Sequence, residues 1–572
     1  MICSDRREET DLSSLFSKRN LVLLLVCAFV FCVILFAGTA HTSCVSISST
    51  STNLQNASFL ASDDPTLNVT IVSPENASYG VSSVPLTFTV NESISWAGYS
   101  LDGQSNVTTL ENTTLTGLAD GSHSIVIYAN DTTGLMNSSQ TVYFSISVPF
   151  NDGDIAWVLA STALVMLMTP ALAFFYGGLV RKKNLVSTLS QCLTIFAVVS
   201  LVWAIWGYSL SFGPNAFGIG FIGNLSKAGL NNITPTTPIP LGYAPSPPPL
   251  YTPLQTIPEF LYFGFQLKFA AITPALIIGA FAERIKFRSL LIFIILWSTL
   301  IYSPVAHWVW GAGGWLHQMG ALDFAGGTVV HMTAGFTALA ASLVIGKRKD
   351  LGLKEFKPNN IPYVILGASL LWFGWFGFNG GSALSATPLA VSALVTTNLA
   401  AAAAAVSWMC VDWVIKGKPS GVGIAVGAVC GLVAITPASG FVGIPEAIII
   451  GFFAGIISNL VANWRASRKR FDDTLDVFAC HGMSGVWGSL ATGLFASTAI
   501  NPAGHNGLFF GNPHQFLVQA LAVAVVAVFA FGGSFIIMKV IDKITPLRVS
   551  PEEEEKGLDQ TQHGEEAYSE ED

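Results

Sequence analysis

Two short stretches hold ionisable side chains inside otherwise apolar sequence, and they are where chemistry is to be expected. ALDFAGGTVVHMTAG (residues 321–335) places Asp323 and His331 in a mostly apolar run that lasts until Lys347. DVFACHGMSG (residues 476–485) echoes it, with Asp476 ahead of His481. Each histidine is followed four residues later by glycine, His331 by Gly335 and His481 by Gly485. Ionisable groups at bilayer depth are costly unless they are paired or face a cavity, so each is a functional-site candidate. A neutral imidazole both donates and accepts a hydrogen bond and relays a proton near neutral pH. Two of them in apolar, glycine-bearing segments suggest a narrow conduit for a small, protonatable solute. Spacing alone does not show that the two rings touch.

Composition supplies the setting. Of 572 residues, 51% are hydrophobic and only 11% charged, with a mean hydropathy of +0.56. Soluble domains carry about 25% charged residues, so the chain reads as an integral membrane protein. Its 53 glycines suit close helix packing in lipid. The net charge of −8 comes largely from the two ends, and no basic patch for nucleic acid is present. Eight cysteines are scattered without metal-type spacing, and only Cys44 falls in the polar segment described next, which excludes a disulfide framework there. No cofactor, metal site or nucleophile–base pair is expected, and hence no enzyme.

The elements that must position the histidines follow from the order of the chain. Residues 1–19 are polar and read as a cytoplasmic N-terminus. Residues 20–40 are apolar over about one bilayer's thickness, either a retained anchor or a signal peptide cut after Ala40. Residues 41–150 contain no Lys or Arg, and their β-type runs at 67–72, 86–90, 124–128 and 141–148 alternate with turn signals such as Asp102-Gly103 and Asp120-Gly121. That pattern predicts a small extracellular all-β sandwich, immunoglobulin-like but without the cysteine pair. Sequons at Asn56, Asn68, Asn76, Asn91, Asn106, Asn112, Asn130 and Asn137 predict that it is glycosylated.

From residue 151 to 541 the hydropathy predicts an all-α polytopic body of eleven spans. They fall at about 154–178, 185–211, 257–281, 289–309, 323–345, 361–381, 386–414, 420–437, 442–462, 476–498 and 514–540. Positive clusters such as Arg181-Lys182-Lys183 follow alternate spans, and the opposite loops hold a single cation, Lys227, together with sequons at Asn224 and Asn232. By the positive-inside rule the β-domain is outside and the acidic tail, residues 542–572, is cytoplasmic. The loop at 211–256 is Pro-rich and reads as an irregular extracellular cover.

Aromatic residues crowd several span ends: Trp308 and Trp310, then Trp372, Trp375, Phe376 and Phe378. Most suit an interfacial belt, but such faces also hold a cation, each contributing about 0.5–2 kcal/mol. Phe265 and Phe269 lie one helical turn apart and suit a hydrophobic constriction.

The body resembles the ammonium transporter (Amt/MEP/Rh) family over residues 151–572. The matching motifs are MTPALAFFYGGLVRKKN (168–184), FAAITPALIIGAFAERIKF (269–287), AHWVWGAGG (306–314), ALDFAGGTVVH (321–331), GWFGFNGGS (374–382), AITPASG (434–440) and DVFACHG (476–482). The resemblance implies transmembrane transport of ammonium/ammonia. It assigns Trp310, Phe269 and Ser382 to an outer recruitment site supported by Asp323. Phe269 and Phe378 become a gate, and His331 and His481 line the pore with Trp375 and Thr436 beside them. Trp310 and Ser382 favour the Amt branch over the Rh branch. It also implies an inverted five-span repeat, a homotrimer in the plasma membrane, and nitrogen uptake as the role. The tail at 544–568 resembles the family's regulatory tail, with Gly557, Leu558, Asp559, His563, Gly564 and Tyr568 as its matching residues and a PII-type protein as the expected partner. Lys268 departs from the family pattern beside Phe269. The alternative function is an ammonium sensor, or transceptor, coupled to nitrogen regulation, although no output domain is recognised in the chain.

Overall fold

The computed structural model describes residues 67–147, 150–239 and 256–568, apart from residues 82, 110, 120 and 355. The apolar segment 20–40, the sequon at Asn56, part of the Pro-rich loop and the last four residues lie outside the described residues. The chain divides into two compact units, Met1–Val148 and Pro149–Asp572.

Among the described residues of the first unit there are nine strands, β1 (Val69–Ser73), β2 (Ser78–Tyr79), β3 (Val84–Val90), β4 (Ile94–Leu101), β5 (Val107–Thr108), β6 (Thr113–Leu115), β7 (Gly121–Asp131), β8 (Met136–Ser138) and β9 (Val142–Ile146). They form two sheets, in the orders β1-β3-β6 and β2-β9-β7-β4-β5, with β8 also on β7. The sequence located four of them: β1 (Val69–Ser73), β3 (Val84–Val90), β7 (Gly121–Asp131) and β9 (Val142–Ile146). Strict alternation in β7 sends Ile125, Ile127 and Ala129 inward, where they meet Leu86, Leu115 and Phe144 in one apolar core. The long strand β4 (Ile94–Leu101) escaped sequence reading because Ala97 and Gly98 interrupt its β-type composition. Gly98 leaves room for a neighbouring ring: a Cβ there would stand 2.7 Å from the Trp96 side chain, which would have to move.

His123 joins β7 to the turn before it. Its Nδ1 lies 2.8 Å from Asp102 Oδ2 and its Nε2 lies 2.8 Å from the Ala119 carbonyl. Burial disfavours the imidazolium, but these two acceptors outweigh burial and raise the His123 pKa above its usual 6.5. Burial likewise works against the Asp102 carboxylate, yet His123 and the Ser124 amide lower its pKa below 3.8. The histidine's contribution is therefore complete below about pH 6.5 and lost as pH rises through its elevated value. The aspartate's is lost only in acid. Unfolding followed at Trp96 is expected to show this unit more stable at about pH 5.5 than at about pH 8, by at most about 1 kcal/mol, since the Asp102 side chain is 37% exposed. His123→Gln should abolish the difference; if it persists in the variant, this pair is not its source.

The second unit is helical, and it is a multi-pass membrane protein. Nine of its described helices are long and apolar enough to cross a bilayer. In chain order they are α1 (Asp152–Leu179), α2 (Lys182–Phe212), α3 (Glu259–Phe281), α4 (Phe287–Gln318), α5 (Gly327–Ile345), α6 (Ile361–Ala383), α7 (Pro388–Lys416), α9 (Ile444–Arg468) and α11 (Pro513–Ile544). Two shorter helical segments complete the order. These are α8 (Gly421–Ile435) and α10, which starts as Phe478–Met483 and continues as Ser484–Phe495. Each of the eleven coincides with one predicted span to within a few residues, except that α4 runs on past residue 309 to Gln318.

Small residues set the packing. α1 lies along α6, and α7 lies along α8 and α9. On α6 a Cβ at Gly367 would come within 2.4 Å of the Phe175 backbone nitrogen, and one at Gly377 within 2.6 Å of Leu164. The backbones of α1 and α6 therefore touch where lipid supplies no hydrophobic drive for association.

Candidate functional site

The site is built on two helix starts. After α4 the chain turns at Gly326, whose φ of +114° lies in the left-handed region. It then enters α5 through a π-helical turn, Gly327–Met332, which carries His331. The Asp323 carboxylate receives the amides of this turn: Gly326 at 2.8 Å and Gly327 at 2.6 Å on one oxygen, Thr328 at 2.8 Å and Val329 at 3.2 Å on the other. The Thr328 hydroxyl donates to it as well. Asp323 thus neutralises a buried helix start, and its own carbonyl accepts the Trp310 indole N–H at 2.8 Å. One residue therefore fixes both the histidine's turn and the tryptophan.

His481 sits in the same kind of turn, Phe478–Met483. Its cap is Asp473, which accepts the Val477 amide at 3.1 Å and the Phe478 amide at 2.7 Å. In the sequence the acid nearest this histidine is Asp476. That residue instead pairs with Arg465, at 2.5 Å and 3.0 Å. The signal was available: Asp323 precedes His331 by the same eight positions that separate Asp473 from His481. The π-helical turns left no such trace, because hydrophobic periodicity does not distinguish them from α-helix over six residues.

From one end of the helix group inward, the side chains form a single file of rings. Trp310 meets Phe269 edge to face, with centroids 6.1 Å apart and planes at 90°. Phe269 lies 4.3 Å from Phe378 and 4.9 Å from Phe265. Phe378 is 6.0 Å from His331, and His331 is stacked 5.3 Å from Trp375. The two imidazoles are stacked 5.4 Å apart at 22°, and their Nδ1 atoms are 3.3 Å apart. At that distance one Nδ1 carries a proton and the other accepts it.

Ser382 donates its hydroxyl to the Phe378 carbonyl at 2.8 Å, which leaves the oxygen lone pairs free to accept. Thr436 does not line the file. Its hydroxyl receives the Trp375 indole N–H at 2.9 Å and so holds the ring that stacks on His331. Lys268 lies with its ammonium 5.1 Å over the Phe196 ring of α2.

His331, His481, Trp375 and Phe378 enclose, with Leu172, Ile272 and Val330 among others, an apolar cavity of about 10 Å³. That is the room one water-sized molecule needs. His331 Nε2 has no hydrogen-bond partner among the described residues. An unpaired buried nitrogen costs about 1–3 kcal/mol, and an N–H-bearing guest in the cavity relieves it.

The other end of the helix group is tied to the tail. The helix α12 (Pro551–Lys556) opens with a capping box between Ser550 and Glu553. Gly557, at φ +109°, runs so close to Lys183 that a Cβ would stand 2.5 Å from its carbonyl. Leu558 is buried and donates its amide to Asn184 at 2.9 Å. Asp559 accepts the Ser187 amide at 2.8 Å and the Val186 amide at 3.1 Å, capping the start of α2. His563 packs edge-on against Phe287 at 4.9 Å, and Gly564 turns the chain at φ +72° towards Tyr568. The acidic tail is therefore a docked element as far as residue 568, with Glu553 and Asp559 serving as caps and Glu554 and Glu555 as ion-pair partners of Arg548 and Lys349. Behind it Arg348 binds Asp472 through Nε at 2.9 Å, beside the Asp473 that caps the His481 turn.

The profile of the Ammonium Transporter Family matches residues 156–568. The ammonium transporter of Bacillus subtilis is 47% identical over 420 residues, covering 73% of this chain and 98% of that protein. Ammonium transporter Amt1 of Archaeoglobus fulgidus is 46% identical over 419 residues, covering 73% of this chain and all of that protein. Among solved structures, that of Saccharomyces cerevisiae Mep2 superposes with a TM-score of 0.65 at 35% identity, over 71% of this chain and 90% of that one. The ring file, the paired imidazoles and these matches all fall on the same helices. The chain belongs to the ammonium transporter family.

Proposed function

We propose that this transporter recruits ammonium between Trp310, Phe269 and Ser382, that the cation gives up a proton to water on the outer side of the Phe269–Phe378 gate, and that ammonia is conducted past His331 and His481. The observation that carries this reading is the pair of Nδ1 atoms 3.3 Å apart, beside an apolar cavity sized for one small molecule. A bare cation in that cavity would forfeit its hydration with no carboxylate in the lining to replace it. A neutral nitrogen hydride forfeits far less and meets an unpartnered His331 Nε2. Above the gate the requirements reverse. Trp310 and Phe269 offer ring faces and Ser382 offers a lone pair, all suited to an N–H-rich cation. Asp323 acts by holding Trp310 and the start of α5.

The same reading takes α1 to α11 as eleven membrane spans in an inverted repeat and assembles three copies into a trimer in the plasma membrane. It takes the first unit as an immunoglobulin-like, glycosylated domain outside, following an anchor or signal segment. The tail is then cytoplasmic and placed to be contacted by a PII-type regulator. Support comes from loop charge and sequon placement in the sequence, from the sandwich of two sheets, and from the docking of residues 557–568.

The test is methylammonium uptake into proteoliposomes. Trp310→Leu removes one cation–π partner of about 0.5–2 kcal/mol. It should raise the half-saturating concentration by roughly 2- to 30-fold and change the maximal rate little. Uptake by the wild-type protein no faster than into empty liposomes would sink the reading altogether. An unchanged half-saturating concentration in Trp310→Leu would remove the recruitment site from it.

A further inference from the structure

Two glutamines, Gln515 and Gln519, stand one helical turn apart on α11. Both are buried. A carboxamide in such a place needs partners for its oxygen and for its N–H groups, and here the partners are backbone. Gln519 accepts the Leu322 amide through Oε1 at 2.8 Å and donates from Nε2 to the Leu322 carbonyl at 2.8 Å. The same Nε2 lies 3.2 Å from the Ser489 carbonyl on α10. Gln515 donates to the Gly320 carbonyl at 2.9 Å. Two side chains of α11 thus hold the linker between α4 and α5 on both sides of Ala321. One of them also reaches α10, the helix that carries His481.

Residues 319–326 of that linker belong to no helix or strand, so side chains must hold their backbone. Leu322 is followed by Asp323, whose carbonyl receives the Trp310 indole N–H at 2.8 Å. Consecutive carbonyls therefore bind Gln519 and Trp310, and a shift of this backbone moves the indole, which has a single N–H to give. The turn that carries His331 is held differently. There the Asp323 carboxylate collects four amides and the Thr328 hydroxyl, through bonds that do not involve residue 322.

We propose that Gln519 is a positioning residue for the outer recruitment site: by clasping both backbone polar groups of Leu322, its carboxamide sets where the Trp310 ring stands against Phe269. This rests on the recruitment role of Trp310. The indole meets Phe269 edge to face, with centroids 6.1 Å apart and planes at 90°, and a cation held over ring faces depends on where each ring stands. Methionine in place of Gln519 fills nearly the same room, yet it leaves the Leu322 amide and carbonyl unpaired in a buried place. Such groups are costly to leave unmade and draw the chain towards other partners. The linker then moves, and Trp310 moves with it. Losing Gln519 therefore weakens the hold on the cation more than it slows the passage of ammonia past His331.

Methylammonium uptake by the full chain in proteoliposomes reads both quantities. Gln519→Met should raise the half-saturating concentration at least about twofold and lower the maximal rate by less than about twofold. The double variant Gln519→Met/Trp310→Leu should have the half-saturating concentration of Trp310→Leu alone, because the glutamine acts through the indole. A glutamine that merely stabilised the fold would add its own effect to the double variant. Gln515→Met, which loses one bond at Gly320, should give a smaller rise than Gln519→Met. Should the melting temperature show that Gln519→Met is not folded, Gln519→Glu is read in its place against the same outcomes, since it keeps the shape and the acceptor for the Leu322 amide. An unchanged half-saturating concentration in the Gln519 variant, a defect confined to the maximal rate, or a rise that adds in full to that of Trp310→Leu overturns the inference. An unchanged half-saturating concentration in Trp310→Leu defeats the recruitment site itself, so the two failures are told apart.

Discussion

His331→Ala is expected to lower methylammonium uptake at least tenfold while leaving a folded, membrane-inserted protein. Three contacts converge on this ring: the Trp375 stack, the Nδ1 contact with His481, and the cavity faced by Nε2. Deleting the ring removes the polar atom that a neutral guest can pair with and leaves His481 without its proton partner. It also opens space between apolar walls, which costs about 2–4 kcal/mol of stability, by analogy with large-to-small core changes. That loss is tolerable in a helix group this extensively packed, so the uptake defect and the stability defect separate. Uptake should be recorded together with current across the proteoliposome membrane. Uptake without current in the wild-type protein rejects an electrogenic route, and charge moving with each substrate requires a proton path alongside ammonia. A His331→Ala protein that takes up methylammonium at the wild-type rate would show that the imidazoles are not the route.

The candidate site was unevenly legible in the sequence. The histidines, aromatic residues and glycines were visible because membrane-depth polar groups and small residues are conspicuous against an apolar background. What the side chains do for one another was not. Thr436 acts through Trp375, at 2.9 Å, a contact between α6 and the end of α8 that no local pattern encodes. Asp476 looked like the counterpart of Asp323 because it stands nearer its histidine, but capping geometry decides the matter and selects Asp473. The tail shows the same limit in another form. By composition alone a run of four glutamates reads as solvated charge, and only the family resemblance points to a docked tail; Glu554 is buried, with its carboxylate 2.7 Å from Arg548. Long-range partners made the assignments, and a single sequence records partners only as residue types.

Gly335→Ala is expected to be among the most damaging single-methyl additions to the helical unit. A Cβ at Gly335 would stand 2.2 Å from the Gly482 nitrogen, 2.3 Å from its Cα and 3.0 Å from the His481 carbonyl carbon. All three are backbone atoms, so no side-chain rotation relieves the overlap. Non-bonded heavy atoms settle at about 3.5–4.0 Å, and α5 must therefore part from the start of α10 by roughly 1 Å. Overpacking of that kind costs about 1–3 kcal/mol or more. The separation also carries His481 away from His331, from an Nδ1 contact of 3.3 Å towards a distance at which no hydrogen bond remains. Gly485 makes the reciprocal approach, one turn after its own histidine, but its Cβ would meet the flexible Met332 side chain at 3.0 Å and the Gly327 carbonyl at 3.1 Å. Gly485→Ala should accordingly be milder. Gly264, with nothing within 4 Å of its Cβ position, should accept alanine with no loss, since alanine is favoured over glycine in a helix by about 1 kcal/mol. Thermal unfolding of the three detergent-solubilised variants, followed by uptake measured on the material that survives, should rank them Gly335, Gly485, Gly264 from most to least impaired in both readouts. A Gly335→Ala protein as stable and as active as the Gly264→Ala protein would mean that the crossing of α5 over α10 is not what holds the two imidazoles together.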